Sequence, residues 1–296
     1  MGQLRLDAAG RAAAAALPAG GAAGGGRRLS RRRAPERLPG LVDAHCHLQD
    51  PAFDADRQAV IDRARAAGIE RLLVPGYDPA SSRAAVALAA AHPGYIHAAV
   101  GIHPHHAARA DDAAWEELAR LTRAPGVVAV GEIGLDFFRN LSPPEAQRRA
   151  FARQLGLAAS AGLPVIVHDR EAHDEITRIL LDWATAPQGR VRGVLHAFSG
   201  DASMATALSA AGYLVSFALP VAFGSARGPR AAAASLEEGT FLVETDSPWL
   251  APGGAGQRNE PTTALRVAAE LARLRRTTPE AVVSGVRQAY ARLVGG

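Results

Sequence analysis

The feature that most constrains this chain is an alternation repeated eight times, in which a short apolar run is followed by a stretch with helical spacing. Apolar runs suited to buried strands stand at Gly40–His45, Glu70–Pro75, Tyr95–Gly101, Gly126–Glu132, Leu163–His168, Arg190–His196, Gly212–Phe217 and Thr240–Asp246. Helical spacing fills Asp54–Ala67, Ala80–Ala91, Asp112–Arg123, Pro144–Ala161, Glu171–Trp183 and Ala202–Ala211. It weakens to Arg230–Leu236 before the last strand and returns in Pro261–Leu274 and Pro279–Leu293. Strands covered on both faces read as continuous apolar runs, and their alternation with helices predicts an α/β fold with a parallel sheet. Eight such units favour a closed (β/α)8 TIM barrel over an open doubly wound sheet. A doubly wound sheet would place a glycine-rich phosphate loop after its first strand. Here that place holds His45-Cys46-His47-Leu48, with no glycine.

The chemistry-bearing side chains follow the same rhythm. His45 and His47, Glu132, His168, His196 and Asp246 all fall at the ends of expected strands. They are separated by roughly three, one, one and two units of about 30 residues, the length of one strand–helix repeat. In a barrel they converge on the C-terminal rim, where active sites of this fold lie. Alternation along a strand puts Asp43, His45 and His47 on one face and Cys46 on the other, so Cys46 reads as a small buried hydrophobe behind the site. Burying four imidazoles and two carboxylates together costs several kcal/mol unless cations compensate. Six ligands exceed what one catalytic zinc takes. Two divalent cations are therefore expected, the first held by His45, His47 and Asp246, the second by His168 and His196, with Glu132 between them. The ligand set permits Mg, Mn or Zn and does not choose among them.

Composition limits the remaining possibilities. The pI of about 9.9 is set by the first 40 residues, where eight arginines (Arg5, Arg11, Arg27, Arg28, Arg31, Arg32, Arg33, Arg37) face only Asp7 and Glu36. Removing these from the totals of 33 basic and 29 acidic residues leaves a remainder with a net charge of −2, so no basic face is implied. Residues 1–40 are an Ala/Gly/Arg-rich stretch without apolar periodicity, read as a disordered extension or an upstream start outside the domain, which spans 41–296. The stretch lacks the apolar core of a secretory signal. One cysteine permits no internal disulfide, and together with the absence of an apolar run long enough for a membrane this places the protein in the cytoplasm, with no obligate protein partner evident. Aromatic residues are 5% of the chain, which suggests no stacking platform for nucleic acid.

Several stretches resemble the TatD family of metal-dependent deoxyribonucleases, within the wider amidohydrolase-like barrels. They are Val42–Leu48, Gly101–His105, Gly131–Phe137, Pro164–Arg170, Leu195–Gly200, Val243–Pro252 and Arg258–Pro261. The resemblance covers 41–296 in order, leaves out 1–40, and departs from the family pattern at Ala218–Gly228. It implies a TIM barrel, two divalent metals, the same six ligands, and hydrolysis of DNA, often by trimming single strands from the 3′ end. The chain contains no lysine, which excludes the bridging carboxylated lysine of related amidohydrolases and leaves the bridge to Glu132. In the reaction so implied, Asp246 orients and deprotonates the attacking water while Glu244 fixes a ligand from behind. Arg139, Arg170 and Arg258 suit phosphate binding through guanidinium geometry. His103 suits a phosphate contact or protonation of the leaving group. A hydrolase of a small amide, lactone or phosphoester on the same rim is the competing reading, because barrel and metals alone do not select a substrate.

Overall fold

The computed structural model describes residues 35–186, 192–254 and 256–295. Eight parallel strands pair strictly in sequence order. They are β1 (Leu41–Asp43), β2 (Ile69–Pro75), β3 (Ile96–Val100), β4 (Val127–Asp136), β5 (Val165–Arg170), β6 (Gly193–Leu195), β7 (Leu214–Phe217) and β8 (Phe241–Val243). Beyond its last residue β8 meets β1, closing the barrel through the Ala44 N–H on the Val243 carbonyl (2.9 Å), the His47 N–H on the Ser247 carbonyl (2.7 Å) and a Cys46–Ser247 parallel bridge. The expected TIM barrel is the fold.

Around it lie α1 (Arg57–Ala66), α2 (Pro79–Ala91), α3 (Asp112–Leu121), α4 (Pro144–Ala161), α5 (His173–Thr185), α6 (Ala202–Ala210), α7 (Arg227–Ser235), α8 (Ala264–Arg275) and α9 (Pro279–Val294). Local signals set their ends. Asp78, Asp111, Asp201 and Thr278 accept the exposed first-turn N–H groups of α2, α3, α6 and α9. Proline opens α2, α4 and α9, where its missing N–H costs nothing. The segment Ala218–Gly228 forms a 3-10 turn at Leu219–Ala222 and then enters α7.

Strand side chains such as Leu72, Leu73, Val74, Ile166, Val167 and Leu242 have no accessible surface. Burial of each large one contributes roughly 1.5–3 kcal/mol. Packing begins earlier than the expected boundary at residue 41. Leu38 is 2% exposed and its N–H bonds the Ala67 carbonyl, so the barrel includes the end of the stretch assigned to the extension. Residues 1–34 of that extension lie outside the described residues, as do residues 190 and 191 at the start of the sixth expected strand.

The largest departure from expectation is β4, which runs to Asp136 and places Glu132 in mid-strand. Its register against β5 shifts between Val130 and Ile133, and the Glu132 N–H reaches past β3 to the Gly76 carbonyl at the end of β2 (2.8 Å). That inward displacement needs space on both sides. A Cβ on Gly101 would come 2.7 Å from the Gly131 carbonyl carbon, and one on Gly134 (φ +139°) would come 2.0 Å from the His168 carbonyl oxygen. Gly134→Ala is expected to destabilise the protein by about 1–3 kcal/mol, because both the backbone conformation and the space exclude a side chain. An unchanged denaturant midpoint would show that β5 yields at no cost.

Candidate metal centre

Glu132 is the hub of the C-terminal rim. It is 3% exposed, and its two oxygens face different histidines. Oε2 lies 3.4 Å from His45 Nε2 and 3.5 Å from His47 Nε2. Oε1 lies 2.8 Å from His168 Nδ1, 2.8 Å from His196 Nε2 and 3.4 Å from His103 Nε2. Asp246 Oδ1 completes the first side, 3.8 Å from His45 Nε2 and 3.6 Å from His47 Nε2. The structure thus brings all six expected ligands together, though not in two fully separate sets. The rings of His45 and His196 stack with centroids 3.9 Å apart, and three groupings have ligand atoms within 4.8 Å of one another: His45-His47-Asp246, His45-Glu132-His196 and His103-Glu132-His168.

The outer nitrogens show which atoms are free to bind a cation. His47 Nδ1 donates to the Pro75 carbonyl (3.2 Å), so in the neutral ring the lone pair sits on Nε2, facing His45 Nε2 at 3.0 Å. His196 Nδ1 faces Glu244 Oε1 at 3.5 Å, and His168 Nε2 faces Asp136 Oδ2 at 3.3 Å. A carbonyl or carboxylate behind an imidazole orients the ring and raises its basicity, the usual arrangement for a metal-binding histidine. Side-chain nitrogens pointed at one another this closely, amid the carboxylates of Glu132, Asp246, Glu244 and Asp136, fit a site that takes divalent cations.

His103 differs. Its Nδ1 accepts the His105 N–H (3.1 Å), so the neutral ring carries its proton on Nε2, directed at Glu132. Burial pushes its pKa down to about 3, against the pull of the Glu132 charge. His103 is therefore a neutral donor rather than a lone-pair ligand. His45 is driven down to about 4 by burial and by neighbouring His196, which leaves it neutral and able to bind a cation. Burial works against charge on Glu132 too, but His196 and His103 outweigh it and hold the carboxyl well below its usual range. His196 moves the other way: burial opposes its charge, yet Glu132 and Glu244 raise it well above the ordinary imidazole value.

Two residues of this layer carried no assignment from sequence. Asp136 is 2% exposed and ties His105 Nε2 (2.7 Å) to His168, while its Oδ1 accepts the N–H groups of Phe138 and Arg139. Burial raises its pKa and the His105 and His168 contacts pull it down, for a net lowering. An acid four residues beyond Glu132 in an otherwise apolar strand was the available signal. Asp43 lies below the site, fully buried, accepting from the Thr245 hydroxyl (2.6 Å) and N–H (2.9 Å), and it links β1 to the strand end that carries Asp246. Cys46 turns away from the cluster, its thiol on the Leu73 carbonyl.

The expected phosphate-binding arginines diverge. Arg170 closes β5 two residues past His168, its guanidinium 4.8 Å over the Phe138 ring and its buried Nε without a hydrogen-bond partner. Arg139 sits in the turn after β4, and its backbone N–H holds Asp136 at 2.7 Å. Arg258 is engaged elsewhere: it grips both Asp56 oxygens (2.6 and 2.7 Å) and Glu260 (3.1 Å), pinning its loop to the segment before α1. Glu244 lies 0% exposed behind His196, with Oε1 also accepting the Ala197 N–H. Glu244→Gln should reduce metal affinity or activity by about 10–100-fold. An unperturbed metal titration and rate would detach Glu244 from the site.

Comparison with known proteins places the chain in a family. Residues 42–295 match the family model described as TatD related DNase. The chain is 34% identical over 247 residues to YabD, an uncharacterised metal-dependent hydrolase of Bacillus subtilis, covering 82% of this chain and 94% of that one. It is 37% identical over 249 residues to the 3'-5' ssDNA/RNA exonuclease TatD of Erwinia billingiae, again covering 82% and 94%. The crystal structure of YJJV, a TatD homologue from Escherichia coli K12, superposes with a TM-score of 0.80 at 32% identity, over 87% of this chain and 98% of that one. With family, fold and clustered ligand atoms in agreement, the chain belongs to the TatD-related DNase family and is a metal-dependent hydrolase acting on ester bonds.

Proposed function

We propose that this enzyme cleaves phosphodiester bonds of DNA, preferentially single-stranded and from the 3′ end, with two divalent cations bridged by Glu132. The observation that carries the reading is the division of Glu132, one oxygen toward His45 and His47 and the other toward His168 and His196. His45, His47 and Asp246 would hold one cation and His168 and His196 the other. When bound, such a pair lowers the pKa of a water and offsets charge on the attacking and departing oxygens.

The chain's own residues supply the rest. Asp246 has the most accessible carboxylate of the cluster, its side chain 16% exposed against 4% for Glu132, and it orients the attacking water and accepts its proton. His103, neutral with its proton on Nε2, donates toward the departing oxygen. Arg170 meets a phosphate at the rim, assisted by Arg139 on the neighbouring turn. The relative from Erwinia billingiae carries the name of an exonuclease on single-stranded DNA and RNA, which supports the substrate class and polarity proposed. Among the described residues no helix is long and apolar enough to cross a membrane.

The test is digestion of 5′-end-labelled single- and double-stranded oligonucleotides across Mg, Mn, Zn and Co, with a chelator control. A ladder of 3′-shortened single strands that disappears with EDTA is expected. Intact oligonucleotides in every metal, alongside turnover of a small ester, would replace the nuclease by a small-molecule hydrolase. Arg170→Ala should weaken binding of single-stranded DNA at low salt more than it slows a small phosphodiester, since each lost phosphate contact reduces the salt-dependent part of affinity. Equal losses on both substrates would remove Arg170 from binding.

A further inference from the structure

Among the described residues the exposed large hydrophobic side chains are Phe138 (42%), Leu141 (56%) and Trp249 (36%). All three lie on loops at the rim that carries the metal centre, after β4 and after β8. Their place at one rim bears on the expectation drawn from low aromatic content. The chain has few aromatics, but those left exposed stand beside the chemistry.

Both residues are anchored at the cluster. The Trp249 ring meets His47 edge-on with centroids 4.7 Å apart, and the Trp249 backbone N–H donates to the Asp246 carbonyl (2.9 Å). Phe138 is held by its own N–H on Asp136 (3.0 Å), the acid that backs His168. The Trp249 ring therefore stands on the His47 side of the Glu132 bridge, and the Phe138 backbone is anchored to the acid behind the His168 side. Arg170 lies over Phe138 with its Nε buried and unsatisfied. An arginine held over a ring with one buried nitrogen unsatisfied is arranged to meet a phosphate while the ring meets a base.

We propose that Trp249 and Phe138 are stacking surfaces for the two nucleobases that flank the scissile phosphate, with Arg170 on the phosphate beside the Phe138 base. The inference rests on the nuclease reading and adds the feature that selects single strands. Bases in a duplex have their faces covered by neighbours, whereas an unpaired strand can turn its bases onto aromatic side chains. Stacking is sequence-tolerant because every base has a π face. Leu141, beyond Phe138 on the same loop, extends the apolar surface.

The experiment compares binding of oligothymidylate with an abasic deoxyribose-phosphate oligomer of equal length, and cleavage of oligothymidylate with hydrolysis of methyl p-nitrophenyl phosphate. The wild-type enzyme is expected to bind the base-bearing strand at least about tenfold more tightly, as one stacked base requires. In Phe138→Ala and Trp249→Ala that preference should fall about tenfold each, together with the ratio of oligonucleotide to small-ester turnover. Trp249→Phe should restore most of it, because a ring remains. Equal affinity of the wild type for base-bearing and abasic strands would overturn the proposal, as would an unchanged turnover ratio in the two alanine variants. A wild type that prefers the base-bearing strand yet cuts no oligonucleotide would sink the nuclease reading and leave the stacking surfaces standing.

Discussion

Asp246→Asn is expected to cut turnover by about 10²–10⁴-fold, the range associated with a lost acid–base group, without unfolding the barrel. The position is demanding: Asp246 has φ +55°, and its N–H donates to the His45 carbonyl at 2.8 Å. Asparagine tolerates that left-handed conformation at least as well as aspartate, so the backbone should stay in place. What changes is charge. A neutral amide cannot accept a proton from water, and it removes the anionic oxygen facing His45 and His47. The comparison uses kcat on a single-stranded oligonucleotide at saturating Mn, with thermal unfolding as the control. A rate within tenfold of the wild type would take Asp246 out of the proton transfer.

Glu132→Gln should do more, because it affects stability as well as activity. The carboxylate is nearly sealed from solvent and lies within 3.5 Å of five imidazoles, those of His45, His47, His103, His168 and His196. Together with Glu244 it raises the pKa of the buried His196 well above the ordinary imidazole value. Removing one member of a buried pair while leaving the other costs about 3–5 kcal/mol. The variant should therefore unfold at lower denaturant in EDTA, bind Mn weakly and show no oligonucleotide cleavage. An unaltered midpoint with intact metal binding would mean that the histidines are organised by something other than this carboxylate.

The two substitutions bear on different links. Asp246 sits at the mouth, its side chain 16% exposed, where the proposed role puts its charge on water and substrate. Glu132 sits beneath, where its charge holds the imidazoles together. The same distinction separates Arg170 from Arg258, two arginines equally plausible as phosphate ligands in the linear chain. Arg258 is neutralised by Asp56 and Glu260, a contact across some two hundred residues of sequence that no local pattern reveals. Arg170 is left on a phenylalanine with an unsatisfied nitrogen.

His103 shows what neighbours add to a reading from sequence. In the linear chain it is one histidine at the end of a strand, suited to a phosphate contact or to protonating the leaving group. Its tautomer follows from a single backbone hydrogen bond two residues away, which puts the proton on Nε2. Asp136 was harder to read, because the strand was expected to stop at Glu132 and the acid four residues beyond it fell outside the expected interior. The cause is β4 itself, whose register shift and inward displacement depend on glycines at 101 and 134 meeting neighbouring backbone.

Periodicity in the linear chain was enough to specify eight parallel strands, their order and the rim on which His45, His47, Glu132, His168, His196 and Asp246 would meet. This is because burial patterns and strand ends are local properties. The tertiary structure alone decided which nitrogen each histidine presents, how Glu132 divides its oxygens, which arginine stays uncommitted, and that Phe138 and Trp249 stand beside the centre. Those outcomes depend on contacts between segments far apart in sequence, and charge, tautomer and exposure are set by what packs against a side chain rather than by what precedes it.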